Sequence, residues 1–283
     1  MHRGLQTIFR PRCFPQHPSA QERNMSPPDF LTIANASRIA YRRLDAADGG
    51  DAGADGLGIV FLIGHGSDMD GTKALACEDW ARRNGRACLR FDYSGHGLSS
   101  GDFLDGNISS WTEDCLAVLD ALTTGPQILV GSSLGGWLML NVALARPDRV
   151  AGLIGIAAAP DFTEDLLWAA LTDDQRRRIE AEGRIALPNP YSDEPVIYPW
   201  HLITDGRHNL RLQGGLDITC PVHLLHGMQD AEVPWQTATA TAAALASDDV
   251  EVTLVKEAGH RFSEPDEIAR LVAALERMTA KTG

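Results

Sequence analysis

Ile128-Leu129-Val130-Gly131-Ser132-Ser133-Leu134-Gly135-Gly136-Trp137-Leu138-Met139-Leu140 is the stretch from which the rest of the chain is best read. A short apolar run, the length of a buried strand, enters a turn of small residues and leaves as a segment of helical composition. That order is the strand, sharp turn and helix of a nucleophile elbow, with Ser133 at its tip. The glycines two places either side of the serine have a steric purpose: without Cβ atoms, a strained turn can form and the helix can lie close to the strand. The N–H of Leu134 opens the helix, where unpaired donors and the helix dipole favour a developing oxyanion. An ordinary strand-to-helix turn uses the same residues, so Ser133 needs a base and an acid from elsewhere in the chain.

Outward from the elbow, strand and helix patterns alternate. Upstream, Leu31 to Ala34, Arg38 to Leu44, Ile59 to Ile63 and Ala87 to Asp92 read as strands, with helices over Lys73 to Asn84 and Ser110 to Leu122. Downstream, Val150 to Ala157, Val222 to His226 and Val250 to Val255 are strands, with helices near Trp235 to Ala246 and Asp266 to Met278. Together with Ile128 to Val130 this predicts an α/β fold: an eight-stranded, mostly parallel sheet with helices on both faces. The rhythm breaks between Asp161 and Thr219, which reads as an inserted helical cap in a single domain over residues 26–283. Within it Phe162, Leu166, Leu167, Trp168 and Leu171 recur at helical spacing, an apolar face beside the mouth of the site through which Trp168 is expected to set substrate selectivity.

Ligands of a parallel sheet bind beyond the carboxyl ends of its strands, so chemistry is sought just after each one. After Ile63 comes Gly64-His65-Gly66-Ser67-Asp68, a turn able to aim a backbone N–H at the same oxyanion as Leu134. Register leaves His65 and Gly66 both open; His65 is carried forward as the donor, its imidazole lining the pocket. After Leu225 comes His226-Gly227-Met228-Gln229-Asp230, which supplies the acid, Asp230. After Val255 comes Lys256-Glu257-Ala258-Gly259-His260, which supplies the general base, His260. The chain order Ser133, Asp230, His260 at successive strand ends is one of the known orders of a serine triad. The loop Asp92-Tyr93-Ser94-Gly95-His96-Gly97 is expected to be structural.

Composition narrows the possible partners. A net charge of −13 argues against nucleic acid and anionic membrane surfaces. No apolar run reaches the roughly 20 residues of a membrane span. Cys13, Cys77, Cys88, Cys115 and Cys220 are scattered without C-x-x-C spacing, so neither a disulfide framework nor a metal site is expected, and no cofactor is called for. Residues 1–25 read as a disordered leader. They carry Arg3, Arg10, Arg12 and Arg23 against Glu22, compatible with a mitochondrial transit peptide, although a cytoplasmic location is the first expectation.

These motifs resemble those of the α/β-hydrolase superfamily. Ser67 to Leu75, Arg90 to Gly95, Gly131 to Leu140 and Leu224 to Met228 are similar, within it, to the mitochondrial palmitoyl-protein thioesterases, also described as acyl-glucuronide esterases. The resemblance implies hydrolysis of an S-acyl (palmitoyl) thioester or another acyl ester, on a small-molecule ester or an S-acylated protein. Ser133, Asp230 and His260 would take the triad roles. It leaves carboxylesterase activity, peptidase or carbon–carbon hydrolase chemistry, and a non-catalytic binding protein as the alternatives.

Overall fold

The computed structural model describes residues 27–34, 36–47, 56–188 and 193–283. The leader over residues 1–25, and Cys13, lie outside the described residues. The sheet runs in chain order as β1 (Asp29–Thr32), β2 (Arg38–Leu44), β3 (Gly58–Leu62), β4 (Cys88–Phe91), β5 (Gln127–Ser132), β6 (Val150–Ile156), β9 (Val222–Gly227) and β10 (Val250–Val255). In space the order is β1-β2-β4-β3-β5-β6-β9-β10. Pairings β1–β2 and β2–β4 are antiparallel, and every other pairing is parallel. All eight expected strands are present, and this is the expected mostly parallel α/β architecture.

Strands β3, β4, β5 and β9 are buried along their whole length because helices cover both faces, which is why their sequences run apolar without alternation. The helices are α1 (Thr72–Arg83), α2 (Ile108–Leu122), α3 (Leu134–Ala145), α4 (Asp173–Glu182), α5 (Trp200–His208), α6 (Gln236–Ala244) and α7 (Pro265–Thr282). Helix α3 leaves the elbow and is buried from Leu134 through Ala143 on all sides, so polar residues have almost no place on it. Asn141 is the exception, donating to Thr112 Oγ1 and accepting from Arg211 Nε. Helix α2 starts at a reciprocal cap in which Asn107 accepts from Ser110 N and Ser110 Oγ accepts from Asn107 N.

Between β6 and β9 the chain builds the insertion. It holds a π-helical turn (Thr163–Trp168), α4, an antiparallel pair β7 (Arg184–Leu187) and β8 (Val196–Pro199), and α5. The expectation of a helical cap therefore needs correction, since two short strands stand within it. Each is four residues long, too short for alternation to register in a sequence window. The expected single apolar stripe also divides. The wider winding of the π-turn leaves Phe162 against Trp137 of α3, while Leu167 and Leu171 join Ile179, Ile185 and Ile203 in a small core belonging to the cap.

Candidate active site

Ser133 follows β5 with φ of +53°, the left-handed region that a serine adopts only when its surroundings hold it there. Those surroundings are glycines. A Cβ on Gly131 would collide with the Gly135 carbonyl, and one on Gly135 would collide with the carbonyls of Leu62 and Ile63. Backbone bonds from Ser133 N to Ile156 O (2.9 Å), and from Ala159 N to Ser133 O (3.1 Å), fix the tip from β6. Its neighbour and nearest rival, Ser132, stays in the strand and is buried.

His260 Nε2 lies 3.1 Å from Ser133 Oγ, and His260 Nδ1 lies 2.8 Å from Asp230 Oδ2. Three residues separated by 97 and 30 positions in the chain thus form one hydrogen-bonded line. Two features bring the last pair together. Gly227 has room for no side chain, since a Cβ there would strike Ala258 O, so the loops after β9 and β10 can touch. Backbone bonds from Met228 N to Val255 O and from Gln229 N to Ala258 O, both 2.9 Å, then close the seam. On the other flank Lys73 Nζ donates to Arg261 O, tying α1 to the histidine loop. Burial, assisted by the Arg261 charge, pushes the Lys73 ammonium down to about 8.

Asp230 has a fully buried carboxylate with four donors. Oδ2 accepts from His260 Nδ1 and from His226 Nε2 (3.1 Å); Oδ1 accepts from the N–H groups of Glu232 (2.9 Å) and Val233 (2.8 Å). Burial would raise its pKa, but the hydrogen bonds from His226, His260 and Val233 outweigh it and hold the group well below the ordinary carboxylate range. His226 is a participant that reading the sequence did not assign. Its Nε2 also faces Val233 O at 3.0 Å, which places the proton on Nε2 and leaves Nδ1 buried without a partner among the described residues. The available signal was a histidine inside the buried apolar run Val222 to Gly227, where a polar side chain must be hydrogen-bonded to be tolerated.

In the turn after β3 the two candidate N–H groups differ in what they meet. Gly66 N donates to His96 Nε2 (3.3 Å), so that donor is already engaged. His65 N keeps its place as the candidate donor, and Leu134 N, at the first position of α3, can make no intrahelical bond. The same bond requires a lone pair on His96 Nε2, so its proton is on Nδ1, facing Ser94 O at 3.4 Å. Burial pushes His96 down to about 4, in keeping with that neutral tautomer. Asp92, in the loop expected to be structural, accepts from Met69 N (2.7 Å) and Leu98 N (2.8 Å) and so binds the 92–99 loop to the end of the oxyanion turn.

The His65 ring stacks on Tyr198 of β8 at 5.7 Å and 15°, and meets Phe103, Trp111 and Phe162 edge-on at 4.7, 5.9 and 6.0 Å. Burial, with His96 nearby, pushes His65 down to about 3, so at neutral pH it is an uncharged ring in an aromatic box. Two walls of the box, Phe162 and Tyr198, come from the insertion. Trp168 does not join it through any ring contact. Its indole meets Trp200 at 5.3 Å and is flanked by Arg176 and Arg207, whose guanidinium carbons lie 5.2 and 4.7 Å from the ring centre. Among the described residues there is no cluster of His, Cys, Asp and Glu able to hold a metal ion.

A model described as the alpha/beta hydrolase family matches residues 59–271. The chain belongs to that family. It is 38% identical over 287 residues to the human palmitoyl-protein thioesterase ABHD10, mitochondrial, covering 99% of this chain and 89% of the human protein. The structure of mouse alpha/beta hydrolase domain-containing protein 10 superposes with a TM-score of 0.82 at 38% identity, over 91% of this chain and 100% of that one. A bacterial structure, from Agrobacterium vitis S4, does so with a TM-score of 0.83 at 40% identity, over 90% of this chain and 100% of that one. The cytoplasmic expectation finds no support here, because the human relative is named mitochondrial. Among the described residues no helix is long and apolar enough to cross a membrane.

Proposed function

We propose that this hydrolase cleaves acyl thioesters and esters, with S-acyl (palmitoyl) thioesters as its main substrates, through Ser133, His260 and Asp230. The observation that carries the proposal is the unbroken line from Ser133 Oγ through the His260 ring to a carboxylate whose negative form is stabilised by four donors. In this reading Ser133 Oγ attacks the acyl carbonyl as His260 Nε2 takes its proton. The carbonyl electrons become an oxyanion received by the N–H groups of Leu134 and His65. Collapse expels the thiol or alcohol, which leaves with the proton from Nε2, and an acyl-serine remains. Water, deprotonated by the same imidazole, then releases the acid and restores the hydroxyl. Asp230 holds Nδ1–H and stabilises the imidazolium at each stage.

Two further points support the thioester assignment and its setting. The human relative carries palmitoyl-protein thioesterase in its name at near full-length coverage. The aromatic box of Phe103, Trp111, Phe162 and Tyr198 around His65 offers an apolar wall beside the oxyanion turn for an acyl chain. A mitochondrial location accords with the relative's name, with the arginines of residues 1–24 as the address. A fluorophosphonate probe tests the nucleophile: it labels the wild type and fails on Ser133→Ala, and equal labelling of both would overturn the assignment. Turnover of an S-palmitoyl peptide against matched oxygen esters tests the substrate, and a lack of thioester cleavage alongside rapid ester cleavage would make the protein a carboxylesterase.

A further inference from the structure

The Asp230 loop carries a second carboxylate toward the same imidazole. Because Asp230 Oδ1 accepts from the N–H groups of both Glu232 and Val233, the backbone at 232 is fixed. Its side chain is directed at His260, with Oε2 3.9 Å from Nε2. That nitrogen faces Ser133 Oγ and, in the proposed reaction, hands its proton to the departing atom. A leaving sulfur or oxygen at hydrogen-bond distance from Nε2 therefore stands within about 7 Å of the Glu232 carboxylate. Glu232 and His260 also border one cavity of about 360 Å³, which opens beside the histidine loop and is lined in addition by Gln229 and Arg261. Glu264 and Glu267 line it as well and cap α7, Glu267 accepting from Glu264 N at 2.8 Å. Of these three carboxylates, Glu232 is the one within ion-pair distance of the His260 ring.

From this placement we infer that Glu232 is a specificity-determining residue, selecting leaving groups by charge: cationic or neutral groups next to the scissile bond are accepted and anionic ones are disfavoured. The inference rests on the acyl-transfer reading above and deepens it. A charge on the residue flanking an S-acylated cysteine falls at distances where two charges in a partly solvated cleft change kcat/KM by about fivefold. The preferred substrate is then an S-acylated cysteine in a basic peptide segment.

The test uses two S-octanoyl-cysteine peptides identical except for lysine or glutamate at the flanking positions, assayed by kcat/KM at low salt and in 0.5 M sodium chloride. Wild type favours the lysine peptide about fivefold at low salt, and less at high salt as the charges are screened. Glu232→Gln brings the ratio toward one, and Glu232→Lys reverses it. A wild-type ratio of one, or a ratio unchanged in Glu232→Gln, overturns the assignment. Ser133→Ala on an uncharged p-nitrophenyl ester separates the two levels. If hydrolysis survives there, the acyl-serine reading falls and the inference with it; if hydrolysis is lost while the peptide ratio is flat, only the role of Glu232 falls.

Discussion

The edge of the sheet and the inserted cap solve the same problem, holding side chains over Ser133, by opposite means. At the sheet edge, position comes from the backbone. Glycines at 131, 135 and 227 stand where a Cβ would collide, and a buried carboxylate has all four of its donors within 3.1 Å. The cap is held by side chains. Its core is five aliphatic residues roofed by Trp168 and Trp200 with arginines on their faces. Arg207 is further paired to Glu164 at 2.7 Å. One buried residue clasps both ends of the insertion: Asp161, at its entry, accepts from Arg211 N (2.7 Å) and Leu212 N (2.8 Å) at its exit. A region set by backbone sterics tolerates little change, whereas one held by side chains around its own core can be re-sequenced to suit another acyl chain.

The contrast predicts effects of very different size. The largest belongs to the sheet edge. If Ser133, His260 and Asp230 act as a unit, His260→Ala and the double variant with Asp230→Ala lose similar turnover, on the order of 10³-fold or more, instead of multiplying their losses. Steady-state kcat on one ester decides it, and multiplicative losses would mean the residues work separately.

A smaller effect sharpens the line between box and cap core. Each methylene that enters an apolar site contributes up to about 0.8 kcal/mol, so kcat/KM rises with chain length until the site is full. Phe162→Ala flattens that profile because its ring borders His65. Trp168→Ala keeps the slope and lowers the thermal midpoint by roughly 3–6 °C, from about 1–2 kcal/mol of lost ring and cation–π packing. A profile flattened by Trp168→Ala and not by Phe162→Ala would reverse the assignment of the two residues.

The smallest effect is on stability against acid. His65 and His96 are held near 3 and 4, below the 6.5 of an exposed histidine, so between those values the unfolded chain binds protons that the folded chain refuses. Stability is therefore full above pH 6.5 and declines as pH falls toward 4. Asp114, raised by burial to about 6, works the other way, since its folded form binds the extra proton. Comparison with a variant isolates the histidine contribution: His65→Phe keeps a ring in the box and loses less thermal midpoint between pH 7 and pH 5 than wild type does. An equal loss would show that His65 is readily protonated in the folded protein.

Sequence pattern by itself determined the parts whose physics is local. Continuous apolar runs mark strands covered on both faces, and all eight appear in the sheet. Glycines around Ser133 mark a turn that no other residue fits, and Asp230 and His260 were legible because the fold exposes whatever follows a parallel strand. What the tertiary structure alone decided depends on distant pairs. His226 contacts Asp230 because β9 runs straight into the loop that carries Asp230, four residues on. His96, thirty residues after Gly66, takes up the Gly66 N–H, and the proposal of His65 as the donor follows from that contact. Phe162 and Trp168 belong to one apolar stretch of sequence, yet Phe162 packs on Trp137 and His65 while Trp168 packs on Trp200 in the cap. Periodicity reports which residues prefer burial, but the partner each is buried against is set by chain segments that meet only when the fold closes.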